Sequence, residues 1–123
     1  MDDHEQALRE KLDRLLREAA EVSVELERVD GTWEKVPHYS KIELRAHELG
    51  KRLSREVQQR RMSEVAADAP PIAPCPECGS RCETPPKKRG VKSIDGDVEL
   101  QEPRGQCPRC RRAFFPSEDA AGL

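Results

Sequence analysis

Five cysteines are the residues of this chain best suited to chemistry, and four of them form two pairs with the same spacing. Cys75 and Cys78 stand in CPEC, and Cys107 and Cys110 stand in CPRC. Two cysteines separated by two residues can wrap one tight turn, so both sulfur atoms reach a single ion. Two such pairs joined by a segment with a hairpin are typical of a zinc ribbon. We therefore predict that these four thiolates bind one structural Zn²⁺.

The residues around each pair indicate how the turns are built. Gly79 follows the first pair, where a positive φ is often needed, whereas Arg111 occupies the equivalent place after the second pair. The second turn should therefore be either less tight or slightly strained. Cys82 lies beyond the first turn. We interpret it as a bystander thiol in the first strand, with an alternative ligand and a redox-active group as the other possibilities.

No catalytic constellation accompanies the cysteines. A structural zinc site has four protein ligands and no open position for a substrate. The chain has no phosphate-binding loop of the P-loop type and no recognisable Ser/His/Asp set. His4, His38 and His47 are far from the cysteines in sequence and are expected on the surface. These observations predict a protein that is not an enzyme.

The segment before the cysteines has the pattern of two helices. The first carries an apolar a/d heptad seam, which predicts a helix over residues 4–29 that ends at Asp30-Gly31. Its seam is Leu8, Leu12, Leu15, Ala19, Val22, Leu26 and Val29. Ser40 and Glu43 form a capping box that predicts a second helix over 41–66. The apolar positions of that helix are Ile42, Ala46, Leu49, Leu53, Val57, Met62 and Val65.

Between the helices and around the cysteines, prolines and glycines set the boundaries. The connector after Asp30 ends near Tyr39 and contains Trp33, which we expect to cap a helical hairpin or to bind a partner. A hairpin is predicted from Val91–Ile94 and Asp97–Leu100 around Asp95-Gly96. A third short strand is expected at 105–106 or 113–115.

These elements predict a small α+β protein with an N-terminal helical hairpin or coiled coil and a C-terminal four-cysteine zinc ribbon. The domains are a two-helix segment at 1–67, a Pro-rich linker at 68–74, the ribbon at 75–116 and a tail at 117–123. An antiparallel helix pair is the simplest arrangement, and a homodimer through the Leu8–Val29 seam is a further expectation.

Composition limits the class of protein. Charged residues make up 37% of the chain and aromatic residues 3%, so little apolar surface is available and a metal or a partner must add stability. No apolar run approaches the roughly 20 residues of a membrane span. The N-terminus lacks an apolar signal segment. We therefore expect a cytoplasmic protein that does not contact membranes.

Positive charge is concentrated in the second half of the chain. Residues 1–30 have a net charge of −5, whereas residues 75–116 have +3. Basic side chains that could contact phosphate, or only solvate the surface, are Lys87, Lys88, Arg89, Arg111 and Arg112. Phe114 and Phe115 follow the second pair, and at least one of them should pack over the metal-side core.

The order CPECG, VKSIDGDVEL, CPRCRRAFFP and a closing Ala-Gly-Leu resembles the region ahead of the catalytic core in a group of bacterial insertion-sequence transposases. The resemblance covers about residues 75–123, with a looser likeness over 38–67. It implies a role in DNA transposition, with DNA or a transposase catalytic core as partner. It carries over the four cysteines as zinc ligands and no catalytic residue, which would fit a truncated or split transposase.

A second hypothesis comes from architecture alone. A helical hairpin followed by a four-cysteine zinc finger also resembles a type of regulator that acts on RNA polymerase. The connector with Trp33 and Glu34 would then contact the polymerase. A metal-stabilised interaction protein without nucleic acid is the third alternative.

Overall fold

The computed structural model describes residues 2–117 and residue 122, and it shows a small α+β protein, as predicted. Residues 118–121 and 123 of the expected tail, with most of the closing Ala-Gly-Leu, lie outside the described residues. Two long helices precede six short strands in the described part. The helices are α1 (Asp3–Val29) and α2 (Tyr39–Asp68). The strands are β1 (Ile72–Pro74), β2 (Arg81–Glu83), β3 (Pro86–Ser93), β4 (Gly96–Pro103), β5 (Gly105–Gln106) and β6 (Ala113–Phe114).

The chain divides into two compact units, Met1–Ile42 and Glu43–Leu123. Most of α2 therefore belongs to the same unit as the strands and the cysteines. Neither of the described helices is both long and apolar enough to cross a membrane.

Both ends of α1 are capped by the residues that its sequence offers. The Glu5 backbone N–H donates to the Asp2 side chain at 2.6 Å, which satisfies one of the free donors of the first turn. At the other end, the Asp30 N–H donates to Leu26 O at 2.9 Å, and Gly31 has a φ of 84°. This left-handed glycine ends the helix where the sequence predicted.

The apolar seam of α1 is uncovered. All residues of α1 are described, and none of them is buried. The exposed large apolar side chains of the seam are Leu8, Leu12, Leu15, Val22, Leu26 and Val29. Pairing of this seam with a second copy stays a prediction.

Helix α2 begins differently from the prediction. Its first residue is Tyr39, so Ser40 lies inside the first turn and is not the capping residue. His38 takes that role, because its Nδ1 accepts from the Ser40 N–H at 3.2 Å and lies 2.7 Å from the Ser40 hydroxyl. The predicted capping box was therefore wrong, and the helix extends to Asp68 instead of ending near 66.

The face of α2 that is covered is not the whole predicted apolar seam. Leu53 and Val57 are exposed, whereas a stripe at helical spacing is partly or fully buried. That stripe consists of Lys51, Ser54, Arg55, Gln58, Gln59, Met62, Val65 and Ala66. Polar hydrogen bonds to the β3–β4 hairpin select this face, and the apolar period alone could not identify it.

The hairpin contacts α2 through its turn. Arg55 Nη1 donates to Asp95 O at 2.8 Å, and the Ser54 hydroxyl donates to Asp95 Oδ2 at 2.5 Å. Gln58 Nε2 donates to Ser93 Oγ at 3.3 Å. Because these contacts come from successive turns of the helix, they fix the hairpin tip against the middle of α2.

The hairpin itself is longer than predicted, and its turn is shifted by one residue. The strands pair antiparallel from Pro86 opposite Pro103 to Ser93 opposite Gly96, so Ile94 and Asp95 form the turn. The positive φ, 108°, falls on Gly96 and on neither turn residue. A two-residue turn of Ile94 and Asp95, followed by a glycine with positive φ that pairs with Ser93, therefore replaces the Asp-Gly turn that the sequence predicted.

Two further strand pairs surround the cysteines. β1 pairs antiparallel with β2, so part of the predicted Pro-rich linker is a strand. β5 pairs antiparallel with β6, which joins the two alternative positions of the expected third strand. Gly105 lies opposite Phe114, and a Cβ on Gly105 would stand 2.3 Å from the Phe114 ring. The aromatic ring thus occupies the space that only glycine leaves free.

Strand β4 supplies most of the core of the hairpin. Val98, Leu100 and Glu102 alternate along it and are 3%, 3% and 0% exposed. The buried carboxylate of Glu102 accepts from Arg89 Nη1 at 2.9 Å and 3.1 Å. The Arg89 guanidinium also lies 4.7 Å from the centre of the Phe115 ring. The ion pair thus follows Val98 and Leu100 on the buried face of β4.

Candidate metal centre

The structure brings together the four cysteines that the sequence paired. The sulfur atoms of Cys75, Cys78, Cys107 and Cys110 all lie within 4.8 Å of one another. Cys75 directly follows β1, and Cys107 directly follows β5. The two strand pairs therefore deliver one cysteine turn each to a common point, where four cysteines could hold a metal ion.

The two turns have the same backbone hydrogen bonds. In the first turn, the Gly79 N–H donates to Cys75 O at 2.9 Å, and the Cys75 N–H donates to Ser80 O at 2.8 Å. In the second, the Arg111 N–H donates to Cys107 O at 2.8 Å, and the Cys107 N–H donates to Arg112 O at 3.0 Å. Gly79 and Arg111 therefore occupy equivalent positions in two turns with the same hydrogen bonds, although their side chains differ.

That equivalence strains the second turn. Gly79 has a φ of 74°, and Arg111 has a φ of 56°. Arg111 is the only non-glycine residue of the described chain with a positive φ. A left-handed conformation costs an L-residue about 1–2 kcal/mol, whereas glycine adopts it without a Cβ clash. Of the two alternatives from the sequence, the strained turn is the one observed.

Replacing Arg111 with glycine is expected to stabilise the metal-loaded protein by about 0.5–1 kcal/mol. Removal of the backbone strain stabilises the folded state. Part of this gain is lost because glycine gives the unfolded chain more conformational entropy. Chemical denaturation at a fixed metal concentration measures it. The converse change, Gly79→Arg, should destabilise by a similar or larger amount. Equal midpoints for the wild type and Arg111→Gly would contradict the strain at Arg111.

Two of the distances between sulfur atoms are close to those around a tetrahedral ion. Cys75 Sγ and Cys110 Sγ are 3.9 Å apart, and Cys78 Sγ and Cys107 Sγ are 3.6 Å apart. Zn–S bonds of about 2.3 Å at tetrahedral angles require sulfur pairs roughly 3.8 Å apart. All five cysteines are free of disulfides. The donor set and its spacing therefore suit a thiophilic metal ion.

Three thiols of the cluster have shifted pKa values, and the shifts are in opposite directions. Hydrogen bonds from the Ser80 hydroxyl and the Ser80 backbone lower the pKa of Cys78 to about 6. The Cys110 backbone N–H, 3.4 Å from Cys107 Sγ, lowers the pKa of Cys107. The neighbouring Cys78 sulfur, together with burial, raises the pKa of Cys110 to about 12. A bound cation would favour the thiolate form of Cys110, which its neighbours disfavour.

An apolar shell covers one side of the cluster. Cys75 and Cys107 are 4% and 0% exposed and belong to a small core with Cys82, against which Phe114 packs. This confirms that at least one of the two phenylalanines packs over the metal-side core. The shell limits the access of water to the inner sulfurs, whereas Cys78 is exposed.

Cys82 lies outside the group of four. It is in β2, as expected, and its thiol donates to Ser80 O at 3.3 Å. Burial and the neighbouring Cys107 raise the pKa of Cys82. A protonated, buried thiol is a poor ligand and a poor nucleophile, which favours the interpretation of Cys82 as a core residue.

The basic residues singled out from the sequence are in different environments. Arg89 is engaged by buried Glu102, and Arg112 lies 3.9 Å from the Glu77 carboxylate. Lys88 is an exposed side chain 3.9 Å from Glu99. Lys87 and Arg111 are exposed. Contact of these five residues with phosphate stays a prediction.

Sequence reasoning missed two residues that support this region. Ser80 bonds to Cys78 and closes the first turn, and its position two residues after the second ligand was the available signal. Glu102 is fully buried beside Arg89. No local pattern marks that pairing, because it depends on the register of the two strands.

Comparison of the chain with protein-family models finds no match, and searches among curated proteins and solved structures find none either.

Proposed function

We propose that the chain is a non-enzymatic binding module whose C-terminal part is a structural zinc ribbon. The observation that carries this proposal is the convergence of four thiols within 4.8 Å of one another, with Sγ–Sγ distances of 3.9 Å for Cys75–Cys110 and 3.6 Å for Cys78–Cys107. Four sulfur ligands suit Zn²⁺, which is structural when all its positions are filled by protein. The ion would join two strand pairs that share little other core.

The proposed zinc ion would have a positional role. Cys75 and Cys107 each begin a turn at the end of a strand, so a bound ion would lock the two strand pairs together. The backbone N–H groups of the turns would then orient and partly neutralise the thiolates. With no open coordination position, such an ion would supply stability and no reaction centre.

The partner that we propose is DNA, with the chain as the N-terminal DNA- or partner-binding part of a transposase. Support comes from the motif order that resembles insertion-sequence transposases and from the exposed basic side chains of residues 75–116. The net charge of this segment is +3 without metal and about +1 once four thiolates hold Zn²⁺. Lys87, Lys88 and Arg111 are exposed and can reach a phosphate backbone. A catalytic core of the same kind is the second partner that the resemblance implies.

Binding of the zinc-loaded chain to a short DNA duplex should be measurable by fluorescence anisotropy and should weaken steeply as salt rises. The physical reason is the release of counterions when Lys and Arg neutralise phosphates. The chain treated with a chelator is the control and should bind more weakly, because the strand pairs would separate. Absence of binding in about 50 mM salt would contradict the DNA proposal and leave the zinc proposal intact.

The exposed connector favours a second candidate, a regulator that binds a protein such as RNA polymerase. Trp33, Val36 and Tyr39 are 45%, 87% and 69% exposed. Arg28 lies over the Trp33 ring at 4.7 Å, which presents the ring beside a positive charge. Exposed aromatic residues beside an arginine are common at protein interfaces. This candidate takes the place of the first if the chain does not bind DNA.

A further inference from the structure

A groove beside the metal centre collects basic side chains from separate parts of the chain. It has a volume of about 550 Å³ and lies between β2, the start of β3 and the segment after β4. Arg81, Lys87 and Arg104 line it, and Pro85 and Pro108 form part of its walls. Only Lys87 among these cations was singled out by the sequence.

The three cations of this groove differ from the other basic residues of the ribbon. Among the described residues, no carboxylate oxygen lies within 4 Å of the charged groups of Arg81, Lys87 or Arg104. Arg89 and Arg112, in contrast, each lie near a glutamate. One acidic residue, Glu83, also lines the groove. Unpaired like charges in one groove repel each other, and a bound polyanion would remove that repulsion.

The fold holds the three cations in place through the metal centre. Arg81 and Cys82 are neighbours in β2, and Pro108 lies within the second cysteine turn. The Arg104 N–H donates to Pro85 O at 3.0 Å, which fixes Arg104 beside the start of β3. The groove is therefore built from β2, from residues next to the β3–β4 hairpin and from the second cysteine turn.

We propose that this groove binds the phosphodiester backbone of DNA, with Arg81, Lys87 and Arg104 as the phosphate contacts. This proposal rests on the DNA-binding function proposed above and assigns it a surface. Long exposed side chains on an open groove suit successive phosphates of a strand better than one small anion, which would need buried donors. The contacts would be independent of base sequence.

The variant with Arg81, Lys87 and Arg104 all replaced by glutamine tests the groove. Each lost phosphate contact removes about 0.9 from the slope of log K against log salt, so the slope should become shallower by roughly 2–3. At about 0.1 M salt the dissociation constant for a DNA duplex should rise on the order of 100-fold. Zinc content and circular dichroism confirm that the variant is folded.

A matched control removes the same charge elsewhere. Arg52, Arg60 and Lys92 are exposed residues outside the groove, and their triple glutamine variant should bind within about threefold of the wild type. If both triple variants lose the same DNA affinity, only net charge matters. That result would overturn the assignment of the groove as the DNA site but would not contradict DNA binding itself. A larger loss from glutamines at Lys88, Arg111 and Arg112 would also overturn it.

A gain of affinity provides a second, independent test that does not depend on the folding of a triple variant. Glu83→Gln removes the one carboxylate that lines the groove and should tighten DNA binding several-fold. Asp97→Asn, an exposed change on β4 outside the groove, is its control and should leave affinity unchanged. Equal affinities for Glu83→Gln and Asp97→Asn would overturn the groove, and an RNA duplex that binds more tightly than DNA would overturn the assignment to DNA. If the wild type binds no DNA at all, this proposal and the proposed DNA partner both fail, and the proposed zinc ribbon stands.

Discussion

Replacing Cys107 with serine is expected to release the metal ion and to unfold residues 75–116. Cys107 is fully buried, and its backbone closes the second turn with Arg112 and Arg111. Zinc binding in small zinc domains contributes roughly 10–16 kcal/mol, which is more than the total stability of most small domains. The measurements are metal content by mass spectrometry and the dispersion of amide signals in an NMR spectrum.

Cys82→Ser is the matched control for this change. Both positions are buried thiols, at 0% and 4% exposure, and both lose the same atom. Only Cys107 belongs to the group of four sulfurs. Cys82→Ser should therefore keep one metal ion per chain and the folded spectrum, at a cost of about 1–2 kcal/mol for the buried hydroxyl. Loss of metal from Cys82→Ser with retention in Cys107→Ser would reverse the assignment of ligands.

Replacing Arg89 with methionine is expected to destabilise the metal-loaded protein by about 3–5 kcal/mol. The change leaves the Glu102 carboxylate buried without its partner, since Glu102 is 0% exposed and accepts from Arg89 Nη1 through both oxygens. Breaking one side of a buried ion pair costs that much because an uncompensated charge remains. The contact of Arg89 with the Phe115 ring is lost as well. Denaturant unfolding with metal present gives the value.

The neighbouring residue supplies the control for Arg89. Lys88 lies 3.9 Å from Glu99, and both side chains are exposed. Lys88→Met should therefore change stability by less than about 1 kcal/mol. Adding Glu102→Leu to Arg89→Met should recover much of the loss, because the buried charge is then gone. If Arg89→Met proves as mild as Lys88→Met, the pair does not hold the core of the hairpin.

Local signals in the sequence were sufficient to predict the four-cysteine cluster and the first helix. The cysteine spacing encodes two tight turns, so the same four residues converge in the structure. The end of α1 at Asp30 and Gly31 was predicted because a helix stop depends on neighbouring residues only. The strain at Arg111 was likewise one of two alternatives set by the absence of glycine there.

Features that depend on contacts between distant segments were not predicted. The turn of the β3–β4 hairpin lies one residue earlier than predicted, and its Asp95 is bonded to Ser54 and Arg55 of α2, far away in the sequence. The covered face of α2 is set by hydrogen bonds to Ser93 and Asp95, far away in the sequence. The same is true of the groove, whose cations come together only in the folded ribbon.

X-ray absorption at the zinc edge on the purified, metal-loaded chain tests the central claim most directly. The account predicts one zinc ion per chain with four sulfur neighbours at about 2.3 Å, and the same spectrum from Cys82→Ser. The four sulfurs would be those of Cys75, Cys78, Cys107 and Cys110. A shell with nitrogen or oxygen ligands, or a chain that folds with no bound metal, would contradict it.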